Sequence, residues 1–278
     1  MGMFPKLKRE KESIESVLAL LRIRGFRVKS YWYPEKFLPL MGIESARHFE
    51  IFYRLLKRYS ARLLLHDLFS RPAGSPLENL MHYCSESGAL QILQILEEIG
   101  LVEKRNNLFF LKMAEGVRIG DLLEWFTSVL LHKEFGVQTI FKVQLQGNKA
   151  GGDFDVLANL LGRLLFVEVK SAPPKGIHNP EIGEFLERVK NLLPDIAIFL
   201  NDTHLRVKDK IVLMFEEELI QRKGVKSLQE LPILRVKEQI FHLNHYIYIM
   251  NSKRDLKRNF TVVFRDYINY NLPGRNIF

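Results

Sequence analysis

The stretch from Gly151 to Lys170, GGDFDVLANLLGRLLFVEVK, constrains the fold more than any other part of the chain. Two apolar segments meet at Gly162, a pattern typical of a β-hairpin. This hairpin also carries Asp155, Glu168 and Lys170, and burying an ionised group destabilises a protein unless a partner compensates the charge. A bound metal ion is one candidate for that partner.

The period of a β-strand places some of these charges together. Side chains two positions apart share a face, so Glu168 and Lys170 lie side by side, and Asp155 joins them if the hairpin pairs it with Glu168. Two such carboxylates repel each other, and Mg²⁺ or Mn²⁺ bound to both reverses the repulsion. Lys170 would then orient or deprotonate a water, or stabilise charge on an attacked phosphate. A structural ion pair between Glu168 and Lys170 is the alternative.

The segments around this hairpin alternate between helical and strand patterns. We predict strands over 137–145, 153–159, 164–170, 196–200 and 240–250. We predict helices over 121–135, 179–193, 208–221 and 253–270. Residues 115–278 are therefore predicted to form an α/β domain, a mixed sheet flanked by helices.

Residues 59–114 predict three helices followed by a hairpin, preceded by a basic, mostly helical region over 1–58. The second of these helices opens at the capping box Ser75-Pro76-Leu77-Glu78 and runs to Cys84. This order resembles a winged helix-turn-helix domain. Its third helix has no Lys or Arg on its polar face, which favours a structural or dimerisation role over reading of a DNA groove. Lys104 and Arg105 in the wing are the candidate phosphate contacts.

The net charge of +9 suits a polyanionic partner, although solubilising surface charge gives the same value. The excess of Lys and Arg lies in 1–58 and 201–278. Candidate nucleic-acid contacts beyond the wing are Arg188 and the pairs Lys253-Arg254 and Lys257-Arg258. These two pairs repeat at the spacing of one helical face.

Several other classes of protein lack support in the sequence. The single cysteine cannot form an intramolecular disulfide, and no apolar run approaches the roughly 18 residues of a membrane span. We therefore expect a cytoplasmic protein without a membrane partner. His242 and His245 are three apart in the predicted strand 240–250, which would put them on opposite faces and disfavours a shared metal.

Asp155, followed on the next strand by Glu168-Val169-Lys170, resembles the signature of the PD-(D/E)XK phosphodiesterase superfamily. Type II restriction enzymes, archaeal Holliday-junction resolvases and Mrr-like nucleases belong to it. The resemblance implies a restriction-endonuclease-like fold and Mg²⁺ or Mn²⁺ held by Asp155, Glu168 and the Val169 carbonyl. It also implies that Lys170 positions the attacking water. Glu124 matches a glutamate that members often carry on the preceding helix.

The run from Gly120 to Ser171 is particularly similar to the nuclease domain of CRISPR ancillary nucleases activated by cyclic oligonucleotides. The sensor domain of those enzymes has no evident counterpart in this sequence. The resemblance implies a metal-dependent endonuclease, with DNA favoured over RNA as substrate. A non-catalytic nucleic-acid-binding or protein-docking scaffold and a winged-helix regulator are the alternatives. The sequence leaves open a homodimer, and also whether Asp153 is a further ligand.

Overall fold

The computed structural model describes residues 7–147, 151–224 and 226–271. Residues 148–150, between the predicted strands 137–145 and 153–159, lie outside them. The chain forms two compact units, of which the first holds Tyr33–Phe126 and the second holds Lys8–Trp32 together with the residues from Thr127 onward. This division differs from the predicted segments 1–58, 59–114 and 115–278, because the chain near residue 30 forms a strand of the large sheet.

The first unit is mainly helical. Its helices are α2 (Pro34–Phe37), α3 (Ala46–Leu56), α4 (Tyr59–Phe69), α5 (Glu86–Glu98) and the first part of α6 (Ile119–Phe135). Strands β2 (Ser75–Pro76), β3 (Val102–Arg105) and β4 (Leu108–Leu111) form a small sheet in the order β2-β4-β3. The hairpin turns at Asn106 and Asn107, which both have positive φ, as a tight two-residue hairpin turn requires.

The predicted helix from Ser75 to Cys84 was wrong. Ser75 and Pro76 pair with β4, and this pairing holds the backbone extended, so only a 3₁₀ turn at Leu77–Leu80 follows. The next helix, α5, begins at Glu86, and the Ser85 hydroxyl caps it by accepting the Gly88 N–H at 3.2 Å.

The second unit is a mixed α/β structure with one large sheet. Its strands are β1 (Val28–Trp32), β5 (Gln138–Leu145), β6 (Phe154–Leu160), β7 (Arg163–Lys170), β8 (Ile196–Asn201), β9 (Ile233–Lys237), β10 (Ile240–Leu243) and β11 (Ile247–Asn251). Their order is β1-β5-β6-β7-β8-β11-β10-β9; β7, β8 and β11 are parallel to one another, and the other neighbours pair antiparallel. The helices are α1 (Leu7–Ile23), the rest of α6, α7 (Asn179–Leu192), α8 (Leu213–Lys223), α9 (Ser227–Glu230) and α10 (Leu256–Asn271). The predicted α/β class and mixed sheet are confirmed.

Residues 240–250 form two strands rather than the single strand predicted. The chain reverses after Leu243, where Asn244 and His245 have φ of 51° and 48°. Asparagine tolerates this left-handed conformation better than most residues, and two such residues in succession make a tight hairpin turn. Asn244 was therefore the available signal for the turn.

Contacts between phenylalanine rings fix helix α7 against the sheet. The ring of Phe185 in α7 lies 5.6 Å from Phe166 in β7 and 5.4 Å from Phe199 in β8. All three are fully buried, and contacts of this kind between aromatic rings add to the free energy of burial. The residues of α7 that follow Phe185 are thereby held over the end of β7.

Candidate functional site

A cluster of charged side chains lies where strand β7 ends. We call it the Glu168 cluster, and its members are Asp155, Glu168, Lys170, Glu181 and Arg188. β7 pairs antiparallel with β6 on one side and parallel with β8 on the other. The carboxyl ends of β7 and β8 and the amino end of β6 therefore meet at the same end of the sheet, where the cluster lies.

Asp155 sits just beyond the last regular pair of the β6–β7 hairpin, Val156 with Val167. Its Oδ2 accepts the Val169 backbone N–H at 2.7 Å. Its side chain thus fastens β6 to β7 beyond that pair. The next position along the register places Asp155 opposite Glu168, which is the pairing that a shared face of Asp155, Glu168 and Lys170 requires.

Glu168 is almost fully buried, with 1% of its surface exposed. Both of its carboxylate oxygens accept hydrogen bonds from Nη1 of Arg188, each at 2.8 Å. Lys170 approaches the same carboxylate, with Nζ 3.0 Å from Oε1. Two cations therefore compensate the charge of this buried carboxylate.

Lys170 bridges the sheet and helix α7. Besides Glu168, its Nζ lies 3.5 Å from Oε2 of Glu181 in the first turn of α7. The other oxygen of Glu181 accepts the His178 N–H at 3.1 Å, which caps the helix. Glu181 thus caps helix α7 and also helps to position Lys170.

The surroundings act differently on the pKa values of Asp155 and Lys170. Burial, together with the charge of Glu168, raises the pKa of Asp155 well above its ordinary value, against the Val169 hydrogen bond and the two cations. Burial alone would lower the pKa of Lys170, but Glu168 and, to a smaller degree, Asp155 and Glu181 raise it. Lys170 is therefore a stable cation at neutral pH, whereas ionised Asp155 is disfavoured.

The remaining predicted members of the site lie close to the cluster or in the other unit. Val169 faces away from Glu168 and gives its N–H to Asp155. Asp153 stands just before β6 and is partly exposed. Glu124 lies half-buried in α6, in the first unit, so its role beside Asp155 stays a prediction.

Arg188, predicted as a nucleic-acid contact, lies inside the cluster. It is buried, with 9% of its surface exposed, and binds Glu168. The signal in the sequence was its position three residues after Phe185, since Phe185 packs on Phe166 and Phe166 stands two residues before Glu168. Recognising it required knowledge of which strand α7 covers.

The other predicted phosphate contacts are mostly held by acidic neighbours. In the wing, Arg105 binds Glu103 through two hydrogen bonds, and Lys104 lies over the ring of Phe109. Lys257 pairs with Glu134 at 2.7 Å, and Arg254 and Arg258 both pair with Glu238.

The predicted common face of Lys253, Arg254, Lys257 and Arg258 was wrong. Helix α10 begins at Leu256, and Asp255 accepts the Arg258 N–H at 2.9 Å as its cap. Lys253 and Arg254 precede this cap, and Arg254 has a φ of 81°, so the two pairs do not continue one helix.

A second polar cluster lies at the other end of the parallel strands, around the turn between β10 and β11. We call it the Asp266 cluster, and its members are His242, His245, Tyr248, Asp266 and Tyr270. Oδ2 of Asp266 accepts the Tyr248 hydroxyl at 2.8 Å and lies 2.7 Å from Nδ1 of His245. The histidine rings stack with centroids 3.8 Å apart, so the prediction of opposite faces was wrong, because the turn after β10 reverses the chain.

Ligand atoms of His242, His245 and Asp266 lie within 4.8 Å of one another, a group that could hold a metal ion. Hydrogen bonds already occupy part of it. Nδ1 of His242 accepts the His245 N–H at 2.9 Å, and a neutral imidazole that accepts at one nitrogen carries its proton on the other. An ion bound by His242 would therefore have to replace this backbone hydrogen bond.

Comparison with known proteins supports the fold alone. No family profile matches the chain, and the search of curated proteins found no match. Among solved structures, the crystal structure of protein VC1899 from Vibrio cholerae is similar, with a TM-score of 0.55 and 17% sequence identity. The likeness covers 90% of this chain and 62% of VC1899. This chain therefore matches less than two thirds of the length of VC1899.

Within the described residues, no helix combines the length and the apolar character needed to cross a bilayer.

Proposed function

We propose that this protein is a phosphodiesterase that depends on Mg²⁺ or Mn²⁺ and cleaves DNA as an endonuclease. The observation that carries the proposal is the placement of Asp155 opposite the buried Glu168 at the end of β7, with Lys170 3.0 Å from the Glu168 carboxylate; burial and the charge of Glu168 also raise the pKa of Asp155. A protein that keeps a carboxylate where its ionised form is disfavoured gives up stability, and such groups concentrate at functional sites.

The donor set fits a divalent cation. Carboxylate and carbonyl oxygens are the ligands that Mg²⁺ and Mn²⁺ prefer, and a cation beside Asp155 would favour its ionised form. Asp155, Glu168 and the Val169 carbonyl would hold the ion, which would supply charge stabilisation at the attacked phosphate. Asp155 would be held in place by the N–H of Val169.

The protein's own residues would position the reactants. Lys170 keeps its proton, so it would donate hydrogen bonds to the attacking water or to a phosphate oxygen rather than act as the base. Glu181 holds that ammonium group from the helix side. The net charge of +9 supports a polyanionic substrate.

A second candidate is a non-catalytic scaffold that binds nucleic acid or protein. The observation that favours it is the pairing of both Glu168 oxygens with Arg188, which compensates this carboxylate without a metal ion. A scaffold would bind nucleic acid with the same affinity in EDTA as in Mn²⁺ and would leave it intact.

The test is a cleavage panel of supercoiled, branched and single-stranded DNA and of RNA, each with Mg²⁺, Mn²⁺ or EDTA. We expect metal-dependent cleavage of DNA, lost in Asp155→Asn and in Lys170→Met. Asp209→Asn, which removes an exposed carboxylate that pairs with Arg206, is the matched control and should cleave normally. Cleavage that survives both site substitutions, or affinity without cleavage, would overturn the proposal.

A further inference from the structure

Arg188 binds Glu168, one of the two carboxylates of the proposed metal site. Its Nη1 lies 2.8 Å from each oxygen of Glu168, and its Nη2 lies 3.6 Å from Oε2 of Glu184, one turn earlier in α7. Glu184 is exposed, whereas Glu168 is almost fully buried. The buried carboxylate is therefore the dominant partner of this guanidinium.

The guanidinium binds Glu168 through Nη1 but leaves another of its donors, Nε, without a hydrogen bond in the part of the chain that the structure describes. Its Nε is buried and, among the described residues, has no acceptor. A buried donor without a partner is destabilising, so this placement has to be offset by the ion pair with Glu168. Arginine stays charged at all accessible pH values and cannot relieve the cost by losing its proton.

The guanidinium of Arg188 lies so close to Gly152 that a side chain at position 152 would collide with it. A Cβ added at Gly152 would lie 2.9 Å from Nη2 of Arg188. Gly152 also has a φ of 66°, a conformation that favours glycine. The loop before β6 thus passes close to the guanidinium.

We propose that Arg188 is the resident counter-ion of Glu168, which a divalent cation must displace from that carboxylate, so that Arg188 sets the metal affinity of the site. This inference rests on the proposed function. A carboxylate whose two oxygens both accept from a fixed cation cannot give an oxygen to an ion without weakening that pair. Arg188 would keep the metal-free protein folded and would limit metal binding to concentrations that repay its displacement.

The test measures metal binding without activity. Free Mn²⁺ is followed by electron paramagnetic resonance during titration of the full chain, for the unaltered protein, Arg188→Gln and Arg188→Lys. We expect Arg188→Gln to bind Mn²⁺ roughly tenfold more tightly or better, because a positive charge beside the site is gone. Arg188→Lys should stay near the unaltered protein. Arg222→Gln, which removes another arginine paired with glutamates in this unit, is the matched control and should not change the affinity.

A second measurement needs no loss of the ion pair by mutation. The guanidinium ¹⁵N resonances of the unaltered protein, assigned by their absence in Arg188→Lys, are recorded with EDTA and with Mg²⁺. We expect the Arg188 signals to move and to show faster guanidinium rotation when Mg²⁺ is added. Unmoved signals at saturating Mg²⁺ would overturn the proposal even if Arg188→Gln fails to fold.

The outcomes separate this inference from the proposed function. If Mn²⁺ binds, Asp155→Asn abolishes the binding and Arg188→Gln binds equally or less tightly, the metal site stands and the role of Arg188 is refuted. If neither the unaltered protein nor Arg188→Gln binds Mn²⁺, both proposals fail.

Discussion

The Glu168 cluster and the Asp266 cluster lie at opposite ends of the parallel strands of one sheet, and each surrounds a partly buried aspartate with a different kind of partner. Asp266 receives a tyrosine hydroxyl and contacts an imidazole, partners that stabilise a carboxylate. Asp155 receives one backbone N–H and faces another carboxylate, and the pKa of Asp155 is raised. Two adjacent carboxylates repel each other and so do not add to stability by themselves, and this difference supports the proposal that the Glu168 cluster is the functional site.

The largest expected effect concerns the ion pair that holds the Glu168 cluster. Arg188→Gln leaves Glu168 buried with Lys170 as its remaining cation, and removing one partner of a buried ion pair costs about 3–5 kcal/mol. Urea unfolding in EDTA measures the change in the free energy of unfolding. A loss below about 1 kcal/mol, the range of an exposed pair, would contradict the account.

The Asp266 cluster should respond less strongly. Asp266→Asn keeps one acceptor oxygen but loses the charge, and we expect a loss of about 2 kcal/mol, the range of hydrogen bonds to charged groups. Tyr248→Phe removes one of the two contacts and should cost about 1 kcal/mol, again by urea unfolding. If Tyr248→Phe cost more than Asp266→Asn, the carboxylate would not be the centre of this network.

Asp155→Asn should stabilise the metal-free protein at neutral pH. The pKa of Asp155 in the folded state is raised above the unfolded value, so its contribution to stability falls as pH rises through that interval. Asparagine can still accept the Val169 N–H and carries no charge. In EDTA, the melting temperature of the variant should exceed that of the unaltered protein by about 2–4 °C for each kcal/mol of added stability. This difference should grow from pH 4 towards pH 8. A variant that is less stable at pH 8 would contradict the raised pKa.

The smallest effect is a pH dependence in the Asp266 cluster. Burial, and then His245, lower the pKa of His242, so the folded state binds a proton less readily than the unfolded chain. Stability should therefore fall as pH drops below about 6.5, the ordinary histidine value, by at most about 1.4 kcal/mol for each unit of pKa difference. His242→Gln should flatten this decline between pH 7 and 5. An equal decline in the variant would assign it to other groups.

Much of the Glu168 cluster was predictable because strand patterns are local. Period two placed Glu168 beside Lys170, and the apolar flanks of Asp155 identified its strand before the register was known. Asn244 and Asp255 were also local signals, for a hairpin turn and for a helix cap. They were missed because the apolar run 240–250 suggested one continuous strand and the basic pairs around Asp255 suggested one continuous helix.

Contacts across the chain were not predictable in the same way. Arg188 and Glu181 reach Glu168 and Lys170 because α7 folds back over β7, which no sequence period encodes. The raised pKa of Asp155 likewise depends on how deeply both carboxylates are buried. Such features follow from packing, so the sequence indicated the residue types of the site but not its counter-ions.

The most direct test of the central claim is an anomalous difference map from crystals of the full chain soaked in Mn²⁺. The account predicts a peak between the carboxylates of Asp155 and Glu168, with Arg188 moved away from Glu168 and no peak at the Asp266 cluster. A peak at His242, His245 and Asp266 alone, or none at Asp155 in well-soaked crystals, would contradict it.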